Sequence, residues 1–160
     1  MDIQTGPNFL PVGSEVPDVT VADQAGNPVS LKDYRGKKIV LYFYPKDNTP
    51  GCTNEACSLR DDYSELQAQG FEVIGVSPDS ETKHRNFINK FSLPFTLLSD
   101  PELKLIKAFG AWGEKKMYGK TYDGLLRTTF LIDEEGKVSH VINKVKTKEH
   151  GQQILSLLAS

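Results

Sequence analysis

Tyr42-Phe43-Tyr44-Pro45-Lys46-Asp47-Asn48-Thr49-Pro50-Gly51-Cys52-Thr53-Asn54-Glu55-Ala56-Cys57 decides the fold. The stretch ends an apolar run that begins at Ile39, breaks at two prolines and a glycine, and then opens a helix. A continuous apolar run fits a central strand covered on both faces. Both cysteines of the chain lie here. Cys52 follows Pro50-Gly51, where the helix is expected to start. A thiol there meets unpaired backbone N–H groups and the positive end of the helix dipole. Both favour the thiolate, the reactive form of cysteine.

Outward from this point the pattern alternates. Ala56, Leu59, Tyr63 and Leu66 form one stripe of a helix over about 52–68, which Gly70 ends. Phe71 to Val76 reads as a second strand. Asp79 or Ser80 caps a helix with the stripe His84, Phe87, Ile88 and Phe91, and Leu93 to Leu98 is a short strand. Asp100-Pro101 reads as an N-cap and N1 proline of a helix to about Phe109. Residues 110–125, with three glycines, Trp112, Met117 and Tyr118, read as a loop over one edge. Thr128 to Ile132 and Val138 to Ile142 are strands around a hairpin signal at 133–137, and Thr147 caps a last helix carrying Ile154, Leu157 and Leu158. Upstream, Val16 to Val21 and Val29 to Leu31 flank a turn at 24–27. Residues 1–15 carry Gly6, Pro7, Pro11 and Gly13 and read as a loose arm, at least over 1–12. Helices alternating with strands imply an α/β fold with a parallel sheet core, to which the last hairpin adds an antiparallel pair.

A length of 160 residues fits one domain with its own core, and no linker divides it. A net charge of −2 gives no reason to expect nucleic acid or an anionic membrane as partner. The N-terminus has no basic n-region followed by an apolar run, and no segment reaches the about 20 apolar residues that span a bilayer. A cysteine pair in such a chain is expected in a reducing, cytoplasmic compartment, where it is more often catalytic than structural.

A sulfur nucleophile needs hydrogen-bond donors and a fixed positive charge. Thr49 offers a hydroxyl three residues before Cys52. Arg127, just before a strand, offers an always-charged planar fork. Pro45 and Pro50 stiffen the loop and shield the pocket. Glu55 lies on the same helix face as Cys52 and would repel a thiolate unless its charge holds an arginine.

Pro45-x-x-x-Thr49-x-x-Cys52 resembles the active-site signature of peroxiredoxins, and Tyr42 to Thr53 resembles their bacterioferritin-comigratory, or Q-type, branch. Gly75 to Ser80, Leu97 to Asp100, Met117 to Lys120 and Arg127 to Asp133 agree with that branch, so the resemblance runs from about residue 13 to the C-terminus. It implies a thioredoxin-like fold with an N-terminal β-hairpin extension and a mixed central sheet flanked by helices. It also implies reduction of hydroperoxides without metal or organic cofactor. By position Cys52 is the peroxidatic cysteine. Thr49 and Arg127 activate it and polarise the peroxide, Pro45 shields it, and Glu55 orients the arginine. Cys57 matches a resolving cysteine five residues downstream, giving an intramolecular disulfide that a thioredoxin-like reductant reopens. Resolution within one chain goes with a monomer or weak homodimer. Thr128 stands where serine is common in the branch.

Two other functions fit less well. A thioredoxin-type disulfide oxidoreductase has two residues between its cysteines, not the four found here, and would leave Thr49 and Arg127 idle. A non-enzymatic thiol module would not turn over peroxide. His84 reads as the boundary of a helix stripe, and His140 and His150 as surface or hairpin residues without zinc-ligand spacing. Trp112, Met117 and Tyr118 read as loop packing beside the pocket.

Overall fold

The computed structural model describes residues 8–159, with the side chain of Met117 outside the described set. Its framework is a seven-stranded mixed sheet. β1 (Thr20–Asp23) and β2 (Pro28–Ser30) form an antiparallel hairpin at one edge. β3 (Lys38–Phe43), β4 (Phe71–Ser77) and β5 (Thr96–Ser99) are parallel, and β1 joins β5. β8 (Thr128–Ile132) runs antiparallel along β3, and β9 (Val138–Ile142) closes the other edge. The spatial order is therefore β2-β1-β5-β4-β3-β8-β9. The expected thioredoxin-like arrangement, a mixed sheet flanked by helices behind an N-terminal hairpin, is present.

The apolar run of β3 is central because both its faces are covered. Its side chains alternate between two cores. Ile39, Leu41 and Phe43 pack with Ile74, Phe130 and α4 (Lys104–Ala108). Val40, Tyr42 and Tyr44 pack on the other face with Ala56 and Leu59 of α1 (Pro50–Asp61), Leu66 of α2 (Tyr63–Ala68), Phe87 of α3 (Glu81–Phe91) and Ile154 of α5 (His150–Leu158). Each large side chain so buried contributes roughly 1.5–3 kcal/mol.

Several expectations are corrected. The single helix over 52–68 is two helices broken at Asp62, whose N–H returns to the Ser58 carbonyl at 3.2 Å. The break lies where α5 crosses. Gly151 there donates to Ser58 Oγ, and any side chain at 151 would overlap the Asp62 carboxylate. Asp100-Pro101 opens a turn, and α4 starts only at Lys104 after Leu103 at φ 62°. Asp100 still caps it, accepting from the N–H groups of Lys104 and Ile106 at 2.9 and 2.8 Å. The expected loop over 110–125 is a second, two-stranded sheet of β6 (Trp112–Met117) and β7 (Lys120–Leu125), turning at Tyr118 and Gly119, both with positive φ. Tyr118 is 97% exposed and so is not packing, and Trp112 is partly buried against the core. Residues 1–7 of the expected arm and the Met117 side chain lie outside the described residues. The remainder of the arm is not loose: Leu10 and Gly13 donate to the Phe109 and Val138 carbonyls, and Phe9 packs edge-on against Phe130. Thr147 opens a 3-10 turn without a side-chain cap before α5, and Leu157 faces solvent.

Candidate active site

The site forms where β3 gives way to α1. Thr49 is the N-cap residue and Pro50 the first residue of α1, so Cys52 stands in its first turn as expected. Cys52 is 1% exposed, packed among Tyr42, Tyr44 and Ala56, and Cys57 is half-buried; both are free thiols. Antiparallel pairing matches Thr128 with Phe43, so Arg127, one residue earlier, arrives beside the end of β3.

The guanidinium fork is divided. Arg127 Nη2 lies 3.3 Å from Cys52 Sγ, and Nη1 donates to Glu55 Oε1 at 2.5 Å. Gly51 makes room for this, since a Cβ there would sit 3.2 Å from Nη2. Desolvation lowers the arginine's proton affinity, but the charges of Glu55 and Cys52 outweigh it and the net shift is upward. Glu55 is fully buried, and desolvation raises its pKa to about 7 against the opposing pull of Arg127. Its second oxygen, Oε2, has no hydrogen-bond partner among the described residues, and neither has the buried Tyr42 hydroxyl. The structure thus brings Cys52, Glu55 and Arg127 together. The Thr49 hydroxyl donates instead to the Lys46 carbonyl at 2.9 Å, within its own loop. Pro45 lies at the start of that loop, half-buried, and Cys57 is on the same helix as Cys52.

Two groups escaped the sequence reading. His84 is not at a boundary. It is 0% exposed, with Nδ1 2.6 Å from Asp47 Oδ2 and Nε2 2.9 Å from the Leu98 carbonyl. Tyr44 donates to the other Asp47 oxygen at 2.5 Å, and the Asp47 N–H donates to Asp79 at 2.6 Å. The loop before Cys52 is therefore tied to α3 and the sheet. His150 is not at the surface. It is fully buried behind Glu55, with Nε2 2.7 Å from Thr129 Oγ1 and 3.7 Å from Glu55 Oε2. Its place four residues before Ile154, on the apolar face of α5, was the available signal. His140, in β9, is partly buried, with Nδ1 3.0 Å from Ser139 Oγ. Lys115 of β6 also feels the site: desolvation and the Arg127 charge lower its pKa, while Cys52 opposes them. Among the described residues no group of three or more His, Cys, Asp or Glu is placed to hold a metal ion, and no helix is long and apolar enough to cross a membrane.

A buried thiol in the first turn of a helix, held by an arginine inside a thioredoxin-like sheet, is the constellation of a thiol peroxidase. Residues 12–141 match the AhpC/TSA family. Peroxiredoxin Bcp of Bacillus subtilis (strain 168) is 49% identical over 149 residues, covering 93% of this chain and 95% of that protein. Peroxiredoxin Bcp of Escherichia coli (strain K12) is 46% identical over 151 residues, covering 94% and 97%. A Xanthomonas campestris bacterioferritin comigratory protein, whose structure was described for its alkyl peroxide reduction activity, superposes with a TM-score of 0.85 at 37% identity, over 93% of this chain and 98% of that one. The chain belongs to the AhpC/TSA family, within its Bcp or Q-type peroxiredoxins. It is accordingly an oxidoreductase that reduces hydroperoxides with thiol chemistry, and its class of reductant is thioredoxin-like.

Proposed function

We propose that Cys52 is the attacking sulfur and Cys57 the resolving one. The Cys52 thiolate attacks the terminal peroxide oxygen. The O–O bond breaks, sulfenic acid forms, and the departing oxygen takes a proton to leave as water or alcohol. The Cys57 thiolate then attacks the sulfenic sulfur, releasing water and closing an intramolecular disulfide. A dithiol reductant of thioredoxin type reopens it by exchange. The observation that carries this reading is the divided fork of Arg127, with Nη2 on Cys52 and Nη1 on Glu55. One arm is fixed by a buried carboxylate, so the other is preorganised for the sulfur and for charge developing on the peroxide. Thr49 joins by turning its hydroxyl from Lys46 toward bound peroxide, and Pro45 keeps water from the sulfur. The enzyme acts through a single domain, as a monomer or weak homodimer in the cytoplasm.

The test is mass spectrometry after one equivalent of peroxide. Wild type should lose two hydrogens as an intramolecular disulfide. Cys57→Ser should gain one oxygen and move to sulfinic acid in excess peroxide, and Cys52→Ser should remain unmodified. Oxidation of Cys52→Ser at the wild-type rate would mean the wrong sulfur is assigned.

A further inference from the structure

His150 and Gln153 of α5 lie outside the proposed cycle, yet they end on its carboxylate. The hydrogen bonds of Gln153 fix its amide. Its Oε1 accepts from the Lys146 N–H at 3.0 Å, and its Nε2 donates to the Lys144 carbonyl at 2.9 Å. Oε1 also faces His150 Nδ1 at 2.9 Å. Since a carbonyl oxygen cannot donate, Nδ1 carries the ring proton. Burial and the Arg127 charge lower the pKa of His150 to about 4, although its bond to Gln153 opposes them. The ring is therefore neutral at physiological pH and Nε2 is bare. Nε2 accepts from Thr129 Oγ1, and beyond it lies the unpartnered Glu55 Oε2. Two lone pairs, and no donor, face each other across 3.7 Å.

We propose that His150 is a positioning residue of the peroxidatic site: held by Gln153 as the Nδ1–H tautomer, it withholds a donor from Glu55 Oε2, keeps that carboxyl able to bind a proton, and so sets how much of the Arg127 charge reaches Cys52. The groups around the carboxyl agree with this role. From β3 comes the Tyr42 hydroxyl, held neutral by burial and the nearby Glu55 charge. From β8 comes the Thr129 hydroxyl, already donated to His150. From α5 comes His150 itself, and from the segment before β8 comes Arg127, the only cation paired with Glu55 among the described residues. On α1, Cys52 adds negative charge when ionised. A proton on Oε2 leaves the Arg127 bond to Oε1 in place but removes the carboxylate charge. The guanidinium is then less neutralised and supports a thiolate more strongly.

This inference rests on Cys52 being the attacking sulfur. Its test uses infrared difference spectroscopy of the full chain, following the C=O stretch of a protonated carboxyl as pH is raised. The band should be absent in Glu55→Gln and should titrate near pH 7 in wild type. In His150→Gln an amide N–H at the ε position supplies a donor. In Gln153→Leu the ring is free to move its proton to Nε2. Both should lower the midpoint by about one pH unit or more, a tenfold change in proton affinity per unit. As Glu55 ionises and neutralises more of the Arg127 charge, the rate of Cys52 oxidation per thiolate, read by stopped flow, should fall, and in the same variants that fall should move to lower pH together with the midpoint. Should His150→Gln fail to fold, Gln153→Leu, at a half-buried position, decides alone. Unchanged midpoints, with only the melting temperature altered, would reduce His150 to a packing residue and overturn the proposal. Absence of wild-type Cys52 oxidation would instead remove the reading of the sulfur, while the carboxyl titration still reports on His150.

Discussion

Closing a disulfide between Cys52 and Cys57 should unwind the start of α1. Both sulfurs lie in one helix, Pro50–Asp61, continuous in the reduced protein. Five residues of ideal helix rise about 7.5 Å and turn about 500°, leaving the two side chains roughly 140° apart. Their Cα atoms are then roughly 8–9 Å apart, whereas a disulfide without backbone movement needs less than about 7 Å. Unwinding exposes Cys52, Glu55 and Ala56, all buried in the reduced state, and breaks the contact of Glu55 with Arg127. That contact alone is a charge-assisted hydrogen bond of about 1.5–3 kcal/mol. Its loss corresponds to at least about tenfold faster amide exchange, since every 1.4 kcal/mol is tenfold. Hydrogen exchange by mass spectrometry on reduced and peroxide-treated protein reads this directly. Peptides covering 52–60 should exchange at least tenfold faster after oxidation, while β3 stays protected. Equal protection of 52–60 in both states, with a Cys52–Cys57 bond confirmed by peptide mapping, would refute the geometric argument. A Cys52 disulfide between two chains would move resolution to a second copy.

Arg127→Lys should slow peroxide reaction roughly 10- to 100-fold at matched thiolate fraction, because one ammonium cannot serve Glu55 and Cys52 together and about 1.5–3 kcal/mol is lost. Single-turnover stopped flow decides it, and a full rate would deny the fork any role. Stability should also report the buried pair. Glu55, raised to about 7, contributes stability that is complete below the ordinary carboxyl range and lost as pH rises through 7. His150, lowered to about 4, contributes stability that is complete above 6.5 and lost as pH falls through 4. Between roughly 4.5 and 6.5 the two slopes cancel, whereas Glu55→Gln should gain stability with rising pH by about 1.4 kcal/mol per unit relative to wild type. Urea unfolding across that range measures the difference. Asp47→Ala strands the Tyr44 hydroxyl and His84 and should cost about 2–5 kcal/mol in the same assay.

Features written into one local stretch were legible in the sequence. The apolar run of β3, the stripe Ala56, Leu59, Tyr63 and Leu66 and the turn at 133–137 depend on neighbours a few residues away, and the structure packs the first two into the core and forms the third, although the stripe runs over two helices and not one. Cys52, Glu55 and Arg127 were named from what a thiolate needs and from the family resemblance, and they do meet. The β6–β7 hairpin was read as loop because neither of its faces is a buried apolar one, so the period-two signal is absent. The roles of His84 and His150 depend on partners 37 and 21 positions away in sequence, Asp47 and Thr129, which no local pattern can specify. Helix periodicity placed His84 in an apolar stripe, whereas His150 was read as a surface residue although the same period puts it on the face of Ile154. Periodicity did not show that each would meet polar atoms from another element there. Asp100 does cap a helix, but across a turn in which Leu103 takes a left-handed conformation that its residue type disfavours.

The tether from Asp47 to His84 and Asp79 separates two jobs within a few residues. Thr49, the N-cap of α1, and Asn48, at φ 66°, stand between the tether and the helix. The chain before them is fastened to α3 and the sheet, and the chain beyond Leu59 is fastened by α5 and the core. A helix start that comes apart between two such posts is a short loop with both ends pinned. Its freedom grows only slowly with its length, so little entropy opposes its return. After the reductant leaves, rewinding should be a local event on the microsecond scale of helix formation. The turnover rate would then be set by the thiol exchange that opens the disulfide, not by the recovery of the fold.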